Sequence, residues 1–425
     1  MSFSWLPDAK LDPHPRRTWL VECCFDLAVL ALYRREAIWP PGFRLAPGTL
    51  IISNHQRDAD VPILATALCQ REGVHFHQPL PFFAAREDLF RRGFLAEYAF
   101  GWPRFLQAPL GAISLGWLFR IARCEPMRRL REFTLAETLD VLSEVGFDQA
   151  DPMTVFNARG RCEITAVLGK LPRHVCDINP RRLGQLRLSH WGLRRLRVAT
   201  FRVVKPAFHA TIAAQLQRFA SVLDAGRSLY FAPEGVISTS GKFGRIRAGA
   251  RQACRLASAP PQVLPIALSY DALGPGRPRI IINVGERGHA PDPSRQESFA
   301  ASLRHVILKL YIVTPSHLIA KFLVAGPAQF TTQAFAEWLH HGAATITSTG
   351  FMLDPLFSQR PVENLASERL RWLVRKGLIA REATGWHNCW PRDATPGWRK
   401  PANVVPYLAA ALDDLAPEFA RMAVS

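Results

Sequence analysis

Residues 50–60 read Leu-Ile-Ile-Ser-Asn-His-Gln-Arg-Asp-Ala-Asp, a short apolar run that breaks into a polar loop. Leu50 to Ser53 predicts a buried strand, Asn54 to Asp60 a loop, and the apolar residues from Val61 a helix. Strand, polar loop and helix is how an α/β sheet presents a side chain at its edge. The loop carries His55 and Asp60 at the spacing H-x4-D, and of 13 histidines only His55 has an aspartate five residues on. A histidine suits general-base work because its pKa lies near neutrality. A carboxylate on the opposite ring nitrogen selects the tautomer and stabilises the imidazolium. Asp58 competes with Asp60 for that place, and the same spacing also serves a structural histidine followed by a helix N-cap.

Working outward, Pro81 to Ala84, Ser228 to Phe231, Val263 to Leu268 and Ile280 to Val284 predict further short apolar strands. Gly116 to Ala122 reads as a helix or a strand, Phe133 to Val145 and Thr211 to Leu223 as helices. Such alternation implies an α/β fold with a mixed central sheet flanked by helices. Residues 16–35 read as an N-terminal amphipathic helix, with Leu20, Cys23, Cys24, Leu27, Leu30 and Ala31 at helical spacing and arginines at both ends. Its apolar face either packs on the domain behind it or lies on a membrane with snorkelling arginines. Beyond about residue 300 the texture turns helical. Phe330 to Leu339 and Ser367 to Val374, followed by the strand Gly377 to Ala380, outline a small winged-helix-like C-terminal domain. The expected organisation is an N-terminal segment 1–47, a domain 48–300 and a helical domain 301–425.

Lys and Arg number 53 against 35 Asp and Glu, a formal charge of +18, so the partners expected are anionic: phosphate-bearing substrates, an acidic membrane surface or nucleic acid. The basic run from Arg181 to Lys205 reads as a solvated or lipid-facing surface in preference to a nucleic-acid site. Eight cysteines without a C-x-x-C pair fit reduced thiols in a cytoplasmic protein. The start of the chain lacks the apolar run of a signal peptide. The uncharged stretch Leu27 to Tyr33 is far short of the ~20 residues that span a bilayer. His75 and His77 with Cys69 suit alternate strand positions better than a metal site.

A second motif sits at 231–242. Phe231-Ala232-Pro233-Glu234-Gly235 follows a strand, with Ser238 and Lys242 close behind. Pro233 and Gly235 force a turn that holds the Glu234 carboxylate where it can accept hydrogen bonds from hydroxyls. Lys242, Arg245 and Arg247 offer cations suited to a phosphate. Taken with Asn54, His55 and Asp60, this motif resembles the lysophosphatidate and glycerol-phosphate acyltransferase superfamily, whose blocks read N-H-x4-D and F-P-E-G-x-x-S. Val263-Leu264-Pro265-Ile266-Ala267 resembles that family's apolar proline block, and Gly249-Ala250 falls where the family has a Gly-Ala. The likeness covers roughly residues 48–290. It departs at Ala232, inserted between Phe and Pro, at Val236 and Ile237, and in the doubled distance from His55 to Glu234.

The resemblance implies transfer of a fatty acyl group from acyl-CoA or acyl carrier protein to a hydroxyl of a glycerol-phosphate or lysophospholipid acceptor. It implies His55 and Asp60 as the catalytic pair, and Glu234, Gly235, Ser238 and Lys242 as substrate-binding residues. No metal or redox cofactor is implied, and the expected location is the cytoplasmic face of an anionic membrane. The family's second block, an arginine closing a short strand, has two candidate positions, Ile121 to Arg128 and Phe201 to Lys205. The second leads directly into the helix before Glu234 and is preferred. Lys205 and Arg202 then join the phosphate site, and an insertion falls at about 130–200. A non-glycerol acceptor within the same superfamily is one alternative, and a basic membrane- or nucleic-acid-binding protein is another.

Overall fold

The computed structural model describes residues 15–69, 71–72, 75–76, 80–90, 109, 113–129, 133–179, 193–398 and 400–416. The chain divides into two compact units. Residues 1–84, 120–124 and 220–425 form one, and 85–119 and 125–219 the other. The fold is mixed α/β with an eight-stranded, mostly parallel sheet flanked by helices.

The strands are β1 (Arg34–Ile38), β2 (Thr49–Ser53), β3 (Phe82–Arg86), β4 (Cys124–Met127), β5 (Leu229–Phe231), β6 (Gln262–Asp271), β7 (Arg279–Val284) and β8 (Gly288–His289). They lie in the order β1-β7-β6-β2-β5-β3-β4, with β8 paired to β6. β2 runs parallel to both its neighbours, β5 and β6, while β6 and β7 form an antiparallel pair. All five residues of β2 and all six of β7 are buried, as is every residue of β6 after Gln262. A strand covered on both faces reads as a continuous apolar run, which is why these three were legible. β1 was not. Its sequence, Arg-Arg-Glu-Ala-Ile, is mostly exposed on the sheet's edge, where charge discourages pairing with another chain.

The helix expected at 16–35 is α1 (Pro15–Leu32), and it ends where β1 begins. Its buried residues are Thr18, Val21, Glu22 and Val29, and it packs on α2 (Asp60–Leu68). The apolar positions singled out in the sequence lie on the other side: Leu20, Leu27 and Leu30 are 58%, 69% and 44% exposed. No helix among the described residues is long and apolar enough to cross a membrane.

Residues 301–416 do not separate from the sheet as a domain of their own. Helices Pro315–Ala325, Thr332–Ser348 and Val362–Arg375 precede the hairpin Ile379–Glu382 and Gly385–Asn388, with Gln329–Phe330 as the third strand. However, these residues share one apolar core with Ala267 of β6 and Leu273 just beyond it, and they fall within the first unit.

The second unit has its own core, in which Phe133, Leu135, Leu142, Phe156, Ile164, Val204 and Phe208 meet. Thr134 and Glu137 close a capping box at the start of the helix Leu135–Glu144. The strand expected at 201–205 is instead part of the 27-residue helix Val198–Asp224. Val204 and Phe208 are buried and Phe201 and Ile212 pack against the same core, a helical period that overrides the β-branched pair Val203-Val204. The strand that does form is β4, and Arg128 follows it. Arg128 is held by Glu87 and Glu137 and lies over the Phe133 ring.

In the first unit the end of β6 is fixed by charge. Arg369 binds both oxygens of Asp271, at 3.0 and 2.7 Å, and Arg279 bridges Asp271 and Asp354. Burial pushes the Asp271 carboxyl up, but Arg369 and Arg279 outweigh it and hold it below the usual range. Removing one partner of such a group strands the others as buried charges, at a cost of about 3–5 kcal/mol. Asp271→Asn is therefore expected to lower unfolding stability by that order in urea titrations, with Asp271→Ala at least as damaging.

Candidate active site

β2 and β5 are parallel neighbours, so the loops that follow them leave the same edge of the sheet. Loop 54–59 thereby meets the turn 232–235, although about 180 residues separate them in the sequence. Asn54 fixes the start of the first loop, donating to Leu268 O at 2.9 Å and accepting from Leu268 N at 2.7 Å. The loop then closes on the Asp60 carboxylate, which is wholly buried. Asp60 Oδ2 accepts from the backbone N–H groups of Gln56 and Arg57, at 2.6 and 2.9 Å, and lies 3.0 Å from His55 Nδ1. Tyr270 donates its hydroxyl to Oδ1.

This geometry separates the alternatives open in the sequence. Asp60, not the exposed Asp58, partners His55. Asp60 is also no N-cap, since that position is Ala59, without a side-chain bond. With Nδ1 donating to Asp60, the lone pair of His55 sits on Nε2. The imidazole is 14% exposed and lines a solvent-open pocket. Asn54, Gln56, Glu234, Ser238, Lys242 and Tyr311 also line it.

Glu234 is buried, and each of its oxygens takes a backbone donor: His55 N at 2.9 Å and Gly244 N at 2.5 Å. It thus ties the His55 loop to the basic loop before any substrate arrives. Burial pushes its carboxyl up to about 7, against the pull of the His55 and Gly244 N–H groups. Gly235 adopts φ +64° at the turn, a conformation glycine alone enters without strain. Ser238 builds the loop as well, donating to Lys242 O at 2.7 Å and accepting from Gly241 N at 3.0 Å. Lys242 lines the pocket with an exposed side chain, and Arg245 and Arg247 are exposed nearby in the chain. Arg202 and Lys205 belong to the second unit, exposed on the helix Val198–Asp224, and are not among the residues lining the pocket. His77 lies outside the described residues, and among those described no group of His, Cys, Asp or Glu is placed to hold a metal.

Residues beyond 300 complete the site, and the sequence did not point to them. The Gln56 amide is 2.8 Å from the Tyr311 hydroxyl, which in turn meets His317 Nε2 at 3.0 Å. The Gln56 carbonyl accepts from Trp398 Nε1 at 3.1 Å and from the Tyr407 hydroxyl at 3.4 Å. Arg57 stacks in an aromatic box, 4.5 Å from the Trp398 ring centre and 5.3 and 5.5 Å from those of Tyr33 and Tyr270. Each of these residues looks like an ordinary core aromatic in the sequence. The only hint was a tyrosine within the apolar strand β6, whose hydroxyl needs a partner once buried.

No protein-family model matches the chain, and no curated protein does. Among solved structures it is similar to the 1-acyl-sn-glycerophosphate (LPA) acyltransferase PlsC from Thermotoga maritima. The identity is 12% and the TM-score 0.35, over 71% of this chain and 81% of that one.

The raised Glu234 carboxyl makes a measurable demand on stability. Its folded-state pKa of about 7 lies above the reference value of 4.5, so the folded state holds the proton more tightly. The stability contributed by that proton is full below the unfolded value and is lost as pH rises through the folded one. Relative to Glu234→Gln, which cannot titrate, the wild-type protein is expected to lose on the order of 3 kcal/mol as pH rises across that interval. Parallel urea titrations of the two proteins from pH 4.5 to 8 measure it; a constant difference between them contradicts the assignment.

Proposed function

We propose that the protein is an O-acyltransferase that moves a fatty acyl group from a thioester, acyl-CoA or acyl carrier protein, to a hydroxyl of a phosphorylated glycerol or lysophospholipid acceptor. The observation that carries this reading is the pairing of His55 Nδ1 with Asp60 in a pocket that also holds an exposed lysine. A base with its lone pair turned toward bound substrate is what hydroxyl activation requires, and a cation beside it suits a phosphate.

In this mechanism His55 Nε2 takes the proton as the acceptor oxygen attacks the thioester carbonyl carbon. The carbonyl π pair moves onto its oxygen, giving a tetrahedral oxyanion. When that collapses, the C–S bond breaks and the thiolate recovers the proton from His55. Asp60 holds the ring's tautomer and faces the charge that forms on it. Lys242, with Arg245 and Arg247, supplies charge for the acceptor phosphate. Exchanging a thioester for an ester changes no oxidation state, so the chemistry calls for no redox cofactor.

The reading places the protein at the cytoplasmic face of an anionic membrane. α1 supports this: Leu20, Leu27 and Leu30 are exposed on one side, and Arg16, Arg17 and Arg34 are exposed at its ends. Apolar contact and attraction to anionic lipid then add, and only the second is screened by salt.

Two measurements test the proposal. The purified protein, given a labelled acyl-CoA or acyl carrier protein and a panel of hydroxyl acceptors, is expected to acylate a phosphorylated one. His55→Ala should lower kcat by at least ~10³-fold without unfolding the protein, and Asp60→Asn nearly as much. A His55→Ala protein with near-normal turnover removes the proposed base, while acylation of unphosphorylated acceptors alone moves the function to another acceptor class. Separately, the protein should sediment with anionic vesicles more strongly than with neutral ones, and less so at high salt. Leu27→Glu should weaken that binding, and equal binding to both kinds of vesicle contradicts the charge argument.

A further inference from the structure

The backbone that follows Lys242 is held by residues far along the chain. The two peptide units on either side of Phe243 are each pinned at both ends. In the first, the Lys242 carbonyl accepts from Ser238 Oγ at 2.7 Å, and the Phe243 N–H donates to Asp414 Oδ2 at 2.9 Å. In the second, the Phe243 carbonyl accepts from Arg304 Nη1 at 3.0 Å, and the Gly244 N–H donates to Glu234 at 2.5 Å. A trans peptide is planar with its C=O and N–H directed oppositely, so fixing one group aims the other.

Arg304 and Asp414 supply one end of each unit, and they are bound to each other. Arg304 Nη2 donates to the same Asp414 oxygen at 2.8 Å, and the guanidinium lies 4.9 Å from the Phe243 ring centre. One planar guanidinium thus spans a carboxylate and a carbonyl, a rigid fork that an ammonium does not reproduce. Both residues stand on helices, Arg304 on Gln296–Lys309 and Asp414 on Pro401–Leu415. The second helix is tied down one residue earlier, where Asp413 accepts from Lys321 Nζ at 2.7 Å. Asp414 lines the same pocket as Lys242, yet its ion pair is with Arg304. The ammonium of Lys242 is thereby left for a ligand.

We infer that the Arg304–Asp414 pair positions Lys242 for the acceptor phosphate, so that residues beyond 300 are part of the phosphate site. The inference rests on the acyl-transfer reading, in which Lys242 meets that phosphate, and deepens it. The pair acts in two ways. It fixes the peptide that leaves Lys242, which sets where the side chain starts. It also engages the one carboxylate that would otherwise compete with the phosphate for the ammonium. Arg304 and Asp414 act through Lys242 and are positioning residues. A cation held in place before binding is effective because less freedom is lost when the anion arrives.

The test is a double-mutant cycle on the full chain, read by steady-state kinetics with palmitoyl-CoA and either glycerol 3-phosphate or 1-acyl lysophosphatidate. Lys242→Ala removes one charge-assisted hydrogen bond and is expected to raise KM for the phosphorylated acceptor about 10–100-fold. Arg304→Gln should raise the same KM about 10-fold, within the range of couplings between neighbouring residues. KM for palmitoyl-CoA should stay nearly unchanged in both. In the Lys242→Ala background, Arg304→Gln should add less than about twofold, because the residue it positions is already gone. Arg304→Lys, which keeps the charge and loses the fork, should fall between wild type and Arg304→Gln. Thermal unfolding accompanies each variant; should Arg304→Gln fail to fold, the isosteric Asp414→Asn takes its place in the cycle with the same expected non-additivity. An equal rise in acceptor KM in both backgrounds overturns the inference, as does a parallel rise in KM for palmitoyl-CoA, which marks general loosening. A raised acceptor KM in Lys242→Ala with none in Arg304→Gln overturns this inference alone. An unchanged KM in Lys242→Ala, or no transfer by the wild-type chain to either acceptor, overturns the phosphate-acceptor reading and this inference with it.

Discussion

The Asp60 carboxylate is the constraint on which the site depends. It is buried, and a buried charge is tolerated only when donors surround it. Three of its donors, His55 Nδ1 and the N–H groups of Gln56 and Arg57, come from the five residues before it. Satisfying Asp60 therefore folds the loop back on itself and orients the imidazole in one act. The fourth donor, Tyr270, comes from β6 and anchors the loop to the sheet.

β6 in turn joins the site to the residues beyond 300, through the alternation of a strand. Tyr270 reaches Asp60 on one side. Ser269 and Asp271 point the other way, Ser269 accepting from Ile312 N at 2.9 Å and Asp271 gripping Arg369. A single ten-residue strand thus carries the His55 loop on one face and the helical C-terminal residues on the other. Those helical residues return to the loop through Tyr311, Trp398 and Tyr407. Tyr407 also packs closely on the basic loop: a Cβ on Gly241 would come within 1.9 Å of Tyr407 O, so this position admits only glycine.

This layout explains what was legible in the sequence. The pair His55 and Asp60, the turn at Glu234, and the strands β2, β5, β6 and β7 announce themselves by short apolar runs that end in polar loops. Local chemistry fixes them, so local patterns reveal them. The elements that escaped depend on partners far along the chain. β1 is a strand only because β7 lies beside it. The segment 201–205 has β-branched residues but takes its structure from a core with Phe133 and Phe156, which no local window contains. Tyr311, His317 and Trp398 are indistinguishable from core filling until the fold brings their polar atoms to the loop. Lys205 illustrates the cost of reasoning from element order alone: a helix continuous from Val198 to Asp224 leaves no strand for it to close.

The electrostatics of the pocket follow from the same packing. Three carboxylates line it or lie against its lining: Asp60, Glu234 and Asp414. Left bare, they would repel an anionic substrate. Asp60 is surrounded by donors. Asp414 is matched by Arg304 at 2.8 Å and also accepts the Phe243 N–H at 2.9 Å. Glu234, with only backbone donors, is instead pushed toward its neutral form by burial. Each acid is thus held by a different means: hydrogen-bond donors around Asp60, a guanidinium beside Asp414 and burial of Glu234.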